Sequence, residues 1–192
     1  MHGSPQVEEL RTEARMEAAR AALETALSTQ GVETANKDTL CAMAVQAAVQ
    51  DGVDVNTRAE AAAGEEPRAR WLSVAAKEGL VETLRALAAS GAEVNNATRD
   101  GRTALYGAAV SGHVVALRVL LEAGAEVNHA NNKGSTALFG AAWTGHAEVI
   151  RALLAAGAAV KHVNNDGRTA LTWQHRKAMR RSFGCWQRQA RR

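Results

Sequence analysis

Between Thr103 and Gly124 the apolar residues fall into two helical registers. "TALYGAAVSG" places Leu105, Ala108 and Ala109 on one side, at the three-to-four-residue interval of an α-helix. "HVVALRVLLEAG" does the same with Leu117, Leu120 and Leu121. Gly112 lies between them and tolerates positive φ, so the chain is expected to reverse there. Gly124 closes the second helix as a left-handed cap. The polar stretch "AEVNHANNKG" then runs out extended and turns back through Asn131, Asn132, Lys133 and Gly134, residues that favour tight turns. The pattern therefore predicts a helix, a reversal, a second helix and a turned loop.

The chain repeats this unit. "GAEVNNATRDGRTALYGAAVSGH" (Gly91 to His113) and "GAEVNHANNKGSTALFGAAWTGH" (Gly124 to His146) are near copies offset by thirty-three residues. At that offset Gly101, Gly134 and Gly167 coincide, as do Thr103, Thr136 and Thr169, and Leu105, Leu138 and Leu171. Gly79, Gly112 and Gly145 form another set, and Gly91, Gly124 and Gly157 a further one. The following unit carries its apolar face on Leu138, Ala141, Ala142, Ile150, Leu153 and Leu154; the preceding one uses Leu72, Ala75, Ala76, Leu84 and Leu87. Repetition at this period marks a stacked array, because no single unit buries its apolar face alone.

These copies resemble the ankyrin repeat family. The residues that carry the resemblance are "DGRTALYGAAVSGH" with "LRVLLEAGAEVN", and "KGSTALFGAAWTGH" with "IRALLAAGAAVK". A third copy, near Arg68–Asn95, lacks the opening Gly and Thr. The likeness covers Arg68 to about Asn165, roughly half the chain. It departs from the family's Thr-Pro-Leu-His signature in two columns. Ala104, Ala137 and Ala170 stand in place of the Pro, and Tyr106, Phe139 and Thr172 in place of the His. In the family that His ties neighbouring units by hydrogen bonds. Its replacement predicts a weakened polar link, with packing of Tyr106 and Phe139 as the substitute. The resemblance implies an all-α solenoid of stacked helix-turn-helix units with hairpin-like loops and divergent helical caps at both ends. The expected divisions are a helical cap with a degenerate repeat over 1–67, repeats over 68–99, 100–132 and 133–165, and a basic capping repeat over 166–192.

Terminal repeats diverge where one face meets water. At the C-terminus Ala178-Met179 fall where Gly-His stood, and Phe183 and Trp186 fall on core leucine and isoleucine positions. "AMRRSFGCWQRQARR" therefore reads as a worn final helix that docks through its aromatics and turns its arginines to solvent. At the N-terminus "SPQVEELRTEARMEAARAALETALS" has a helical pattern, with Ser4 as N-cap, Pro5 as first residue, and Glu8 and Glu9 complementing the dipole. A second helix is expected around Leu40–Val49, with Leu40, Met43, Ala44 and Ala47 on one face. "DGVDVN" (Asp51–Asn56) then resembles "SGAEVN". Gly52 lies thirty-nine residues before Gly91, so six extra residues fall in "TRAEAAAGEEPR" as a surface insertion.

Composition agrees with thin helical layers. Across 192 residues the hydrophobic fraction is 46% while aromatics make up 4%, which suits close packing of small side chains and not a deep aromatic pocket. The two cysteines, Cys41 and Cys185, lie far apart in no metal-type spacing and suit free thiols in a reducing compartment, cytoplasmic or nuclear. No run approaches a membrane span, and the first residues lack the apolar core of a secretory signal, so no membrane insertion is expected.

Charge is split. The net +3 conceals eight Lys or Arg and no acid from Gly167 onward; the rest of the chain carries 15 basic and 20 acidic residues, a net −5.

Catalytic and metal chemistry find no support. There is no nucleophile elbow, zincin motif, phosphate loop or dinucleotide fingerprint. His113 with His146 and His129 with His162 are register-matched pairs. Stacked helices lie about 8–10 Å apart, so such pairs are poorly placed to share one metal. They read as repeat-turn and loop-tip residues, and no metal or cofactor is expected.

What remains is a binding module for another protein, a scaffold or adaptor. Ankyrin arrays bind through loop tips and the exposed side of the first helix. Carried over by position, the helix edge is Lys77-Glu78, Val110-Ser111, Trp143-Thr144 and Arg176-Lys177. The loop tips add Arg99, Asp100, Arg102, Lys133, Ser135, Asp166 and Arg168. Trp143 stands out, because Lys77, Val110 and Arg176 occupy its column and the core therefore needs no apolar residue there. It reads either as a partner's anchor or as a cover for Tyr106 or Phe139. The alternative function is weak contact with nucleic acid or another anionic surface through Arg180, Arg181, Arg188, Arg191 and Arg192. The resemblance also implies that Asn95 and Asn128 are open to asparaginyl hydroxylation; loop hydrogen bonding is the plainer role for them.

Overall fold

The computed structural model describes residues 34–50 and 70–173, together with Ala21 and Thr25. The expected N-terminal helix from Ser4, the insertion after Asn56 and the final basic helix lie outside these residues. The helices are α1 (Thr34–Gln50), α2 (Arg70–Glu78), α3 (Val81–Ala89), α4 (Ala104–Ser111), α5 (Val114–Glu122), α6 (Ala137–Thr144) and α7 (Ala147–Ala155), followed by a 3₁₀ turn over Ala170–Trp173. Among the described residues no strand forms; the loops close through the single bridges Ala130–Thr136 and Val163–Thr169. The architecture is the all-α solenoid expected.

Each unit starts and stops for local reasons. Thr103 and Thr136 cap α4 and α6, their hydroxyls accepting from Tyr106 N and Phe139 N at 3.4 Å. Gly112 and Gly145 end those helices in the left-handed region, at φ 83° and 87°. The second helices carry the larger side chains. Leu84 and Leu87 of α3, Leu117 and Leu120 of α5, and Val149 and Leu153 of α7 are buried almost completely. Burying one such side chain contributes about 1.5–3 kcal/mol.

The helices form two rows. In one row α2, α4 and α6 stack in order, and the 3₁₀ turn packs on α6. In the other, α1, α3, α5 and α7 follow one another. Alanine and glycine let the first row approach closely. Ala75, Ala76, Ala108, Ala109, Ala141 and Ala142 are all buried, and a Cβ on Gly140 would lie 2.8 Å from Val110 Cγ2 and 3.3 Å from Tyr106 Cε2. The Tyr106 ring therefore lies on the next helix, as expected for a packing contact.

The polar link between units is not weakened; other columns carry it. His113 Nε2 donates to Lys77 O at 3.0 Å, and His146 Nε2 donates to Val110 O at 3.0 Å. The loops repeat the device: His129 Nε2 donates to Gly101 O at 3.2 Å, and His162 Nε2 to Gly134 O at 2.8 Å. Asn95 and Asn128 each donate to a carbonyl of the next unit (Gly124 O, Gly157 O) and accept from its backbone (Glu126 N, Ala159 N). Asn132 and Asn165 bridge the loop tips, from Nδ2 to Arg99 O and Asn132 O. The four histidines read as turn and loop residues thus stitch the array together. Among the described residues no group of three or more His, Cys, Asp or Glu is arranged to hold a metal.

The face of α1 differs from expectation. Leu40 and Met43 are 55% and 61% exposed and Ala47 is also exposed, while Cys41, Val45 and Ala48 are buried. Asp38 sets this rotation. Its carboxylate accepts from Glu82 N and Thr83 N at 2.9 Å, and the buried Thr83 hydroxyl donates to it at 2.8 Å. Asp38 thereby caps α3, whose own N-cap residue, Leu80, offers no side-chain bond. Residues 38, 41, 45 and 48 share one helical stripe, so capping by Asp38 carries Cys41, Val45 and Ala48 into the interface.

Candidate partner-binding surface

The surface expected to bind a partner follows the first-helix row and the loops at its N-terminal end. Lys77, Val110 and Trp143 occupy one column at the C-terminal ends of α2, α4 and α6. Lys77 is exposed, Val110 is half-buried, and Trp143 is 41% exposed. Ser111 is half-buried; Thr144 is exposed, and its hydroxyl donates back to Gly140 O at 3.0 Å. Glu78 is drawn into the fold, forming an ion pair with Lys37 of α1.

At the loop tips Arg99, Asp100, Arg102, Lys133, Asp166 and Arg168 are all exposed. Asp100 and Arg102 approach each other at 4.0 Å, a weak contact for two open side chains. The Arg102 guanidinium also lies 5.7 Å from the centre of the Tyr106 ring, within range of a cation–π attraction. Ser135 requires a correction. It is 6% exposed, with its N–H donating to Asn131 Oδ1 at 2.9 Å and its carbonyl accepting from Asn131 N at 3.0 Å. The loop folds over it, so it offers nothing to a partner. Arg176 and Lys177, like Arg180, Arg181, Arg188, Arg191 and Arg192, lie outside the described residues.

Two neighbours of the edge column were not among the residues expected at this surface. Tyr106 and Phe139 sit one turn before Val110 and Trp143 on the same helix faces, and both are half-buried and not enclosed. Their i, i+4 spacing to Val110 and Trp143 was the available signal. The same face of α2 carries Ser73 and Lys77, so the apolar strip is confined to α4 and α6.

The arrangement offers an aromatic edge, cationic tips and a rigid ladder beneath them. Family models describing ankyrin repeats match residues 32–131 (a three-copy model) and residues 120–172 (a many-copy model). The chain belongs to the ankyrin repeat family. A comparison with curated proteins returned no match. Ankyrin repeats are generally protein–protein interaction modules and typically lack catalysis. Among the described residues, no helix of this ankyrin array is long and apolar enough to cross a membrane.

Proposed function

We propose that this chain is a non-catalytic protein-binding module, a scaffold or adaptor whose partner lies across the loop tips and the exposed edge of α2, α4 and α6. One observation carries the reading. Most core columns repeat one residue type (Leu72, Leu105 and Leu138; Ala75, Ala108 and Ala141; Leu87, Leu120 and Leu153), whereas the partly exposed edge column changes from Lys77 to Val110 to Trp143. A position that packing leaves unspecified, and that holds a half-exposed Trp in one copy, is suited to partner contact. The divisions at 68–99, 100–132 and 133–165 are proposed as the repeating units that present it.

The test is capture of partners by the intact chain, set beside Trp143→Ala and a control on the second-helix row, Arg118→Ala. Loss of a captured protein with Trp143→Ala but not with Arg118→Ala is expected. Loss confined to Arg118→Ala would move the interface to the other row and end this reading.

A second reading rests on the eight cations and no acids from Gly167 onward. It gives the tail weak contact with polyanions. Binding to a random oligonucleotide should then fall steeply with salt, and neutralising Arg188, Arg191 and Arg192 should flatten that dependence. Sequence-selective binding that survives about 200 mM salt would instead make nucleic acid the principal partner.

A further inference from the structure

Resting on the protein-binding reading above, we infer that the partner presents a short acidic segment bearing one large apolar side chain, laid along α6 from its cationic end to its aromatic end. Three cations bracket the start of α6. Lys133 lies in its own loop, while Arg102 and Arg168 occupy the flanking units at the column where Ser135 is buried. Adjacent units are separated by about 10 Å, so Arg102 and Arg168 each lie one unit from Lys133. Asp100, 4.0 Å from Arg102, and Asp166 contribute two opposing charges, which leaves these five side chains one positive charge in excess. The second-helix row gives the contrast: Glu82, Glu122 and Glu148 balance Arg85, Arg118 and Arg151 on α3, α5 and α7. The attraction for an acidic chain is therefore concentrated on the loop side.

The apolar strip runs along α6 from its first turn to its other end. Phe139 and Trp143 are one turn apart on α6, and Tyr106 and Val110 are their register mates on α4. Gly140 lets the α4 pair seat against α6, making one continuous surface: a Cβ there would meet both Val110 and Tyr106. An eight-residue helix spans about 12 Å, and an extended peptide covers that in roughly four residues. Acid and anchor should thus be separated by about three to five positions. An extended polynucleotide suits the site less well. Running from tip to tip, its phosphates would meet Asp100 and Asp166 in the same column as Lys133, so the signs alternate along its path. The apolar strip also favours a hydrophobic side chain over a charged backbone.

The probe is a labelled synthetic peptide with three glutamates, a Gly-Ser-Gly spacer and one Leu, read by fluorescence polarisation against the full chain. Companion peptides replace Glu by Gln, replace Glu by Lys, replace Leu by Ser, or delete the spacer. Binding of the parent peptide should weaken about tenfold with each change, and similarly in Trp143→Ala and Lys133→Glu proteins, in line with charge and anchor terms of that order. Circular dichroism verifies that both variants remain folded. Equal binding of the Gln or Lys peptide, insensitivity to Lys133→Glu, or no binding by the parent peptide would each overturn the proposal. So would tighter, Trp143-dependent binding of a single-stranded oligonucleotide. The protein-binding reading fails on a different result: no protein captured by the intact chain, or loss of the captured protein confined to Arg118→Ala.

Discussion

At the scale of single residues, Gly79 and Gly112 carry two duties. Each takes a positive φ, and each leaves space for the histidine of the next unit, His113 and His146. A Cβ on Gly112 would come within 2.6 Å of the His146 ring. A valine there strains the backbone and displaces the ring that bonds Val110 O. Gly112→Val should therefore cost more than about 1 kcal/mol. An unchanged melting temperature would show that neither duty matters. The reversal was legible in the sequence because glycine recurs there at every copy. The second duty was not, because the ring that fills the space comes from a residue one unit further on. Cys41 makes a similar point. It is fully buried, and burial pushes its thiol above the ordinary range by disfavouring the thiolate. In a Cys185→Ser background at mildly alkaline pH, Cys41 should resist a thiol reagent in the folded protein and react fully in denaturant. Rapid labelling of the native protein would contradict this burial.

At the scale of elements, caps and faces decide how helices sit. The short helices α4 and α6 were legible in full: Thr begins them, Gly ends them, and the apolar interval between is helical. For α1 the helix was legible but its orientation was not. Of the expected face, Leu40, Met43 and Ala47 are exposed and Ala44 is half-buried against the core, while Cys41, Val45 and Ala48 are the residues buried fully. This orientation depends on Asp38 meeting the open N–H groups of α3, a contact between residues more than forty positions apart. Asp38→Ala leaves those donors without their cap and removes one of the two acceptors of the buried Thr83 hydroxyl, which keeps the Asp38 backbone carbonyl. It should cost about 0.5–2 kcal/mol as a lost cap and expose α1 first. Hydrogen exchange along α1 and α3, read beside the thermal melt, checks this; protection in both helices equal to wild type would refute the capping role.

At the scale of the whole molecule, stability comes from interfaces between neighbours, so a change at the centre of the stack is felt on both sides. Leu120 of α5 is 1% exposed, and α5 packs between α3 and α7. Leu120→Ala should cost about 2–5 kcal/mol and lower the urea midpoint, whereas Trp143→Ala, at a half-exposed edge, should lower it far less. Equal shifts would show that the Trp143 side chain belongs to the core and not to a binding surface. The sequence by itself determined the unit, its period, its helices and its core columns, because each depends on spacing within about thirty residues and recurs where copies can be compared. It also showed that the edge column holds a different residue type in each copy, Lys77, Val110 and Trp143. Only the tertiary structure decided which side chains join one unit to the next: His113, His146, His129 and His162 in place of the signature histidine, Asn132 and Asn165 across the tips, and Asp38 on α3. It also removed Ser135 from the surface and seated Tyr106 and Val110 against Gly140 of α6. These outcomes depend on which atoms of separate units come within hydrogen-bonding or van der Waals distance when the units stack, and a linear pattern does not contain those distances.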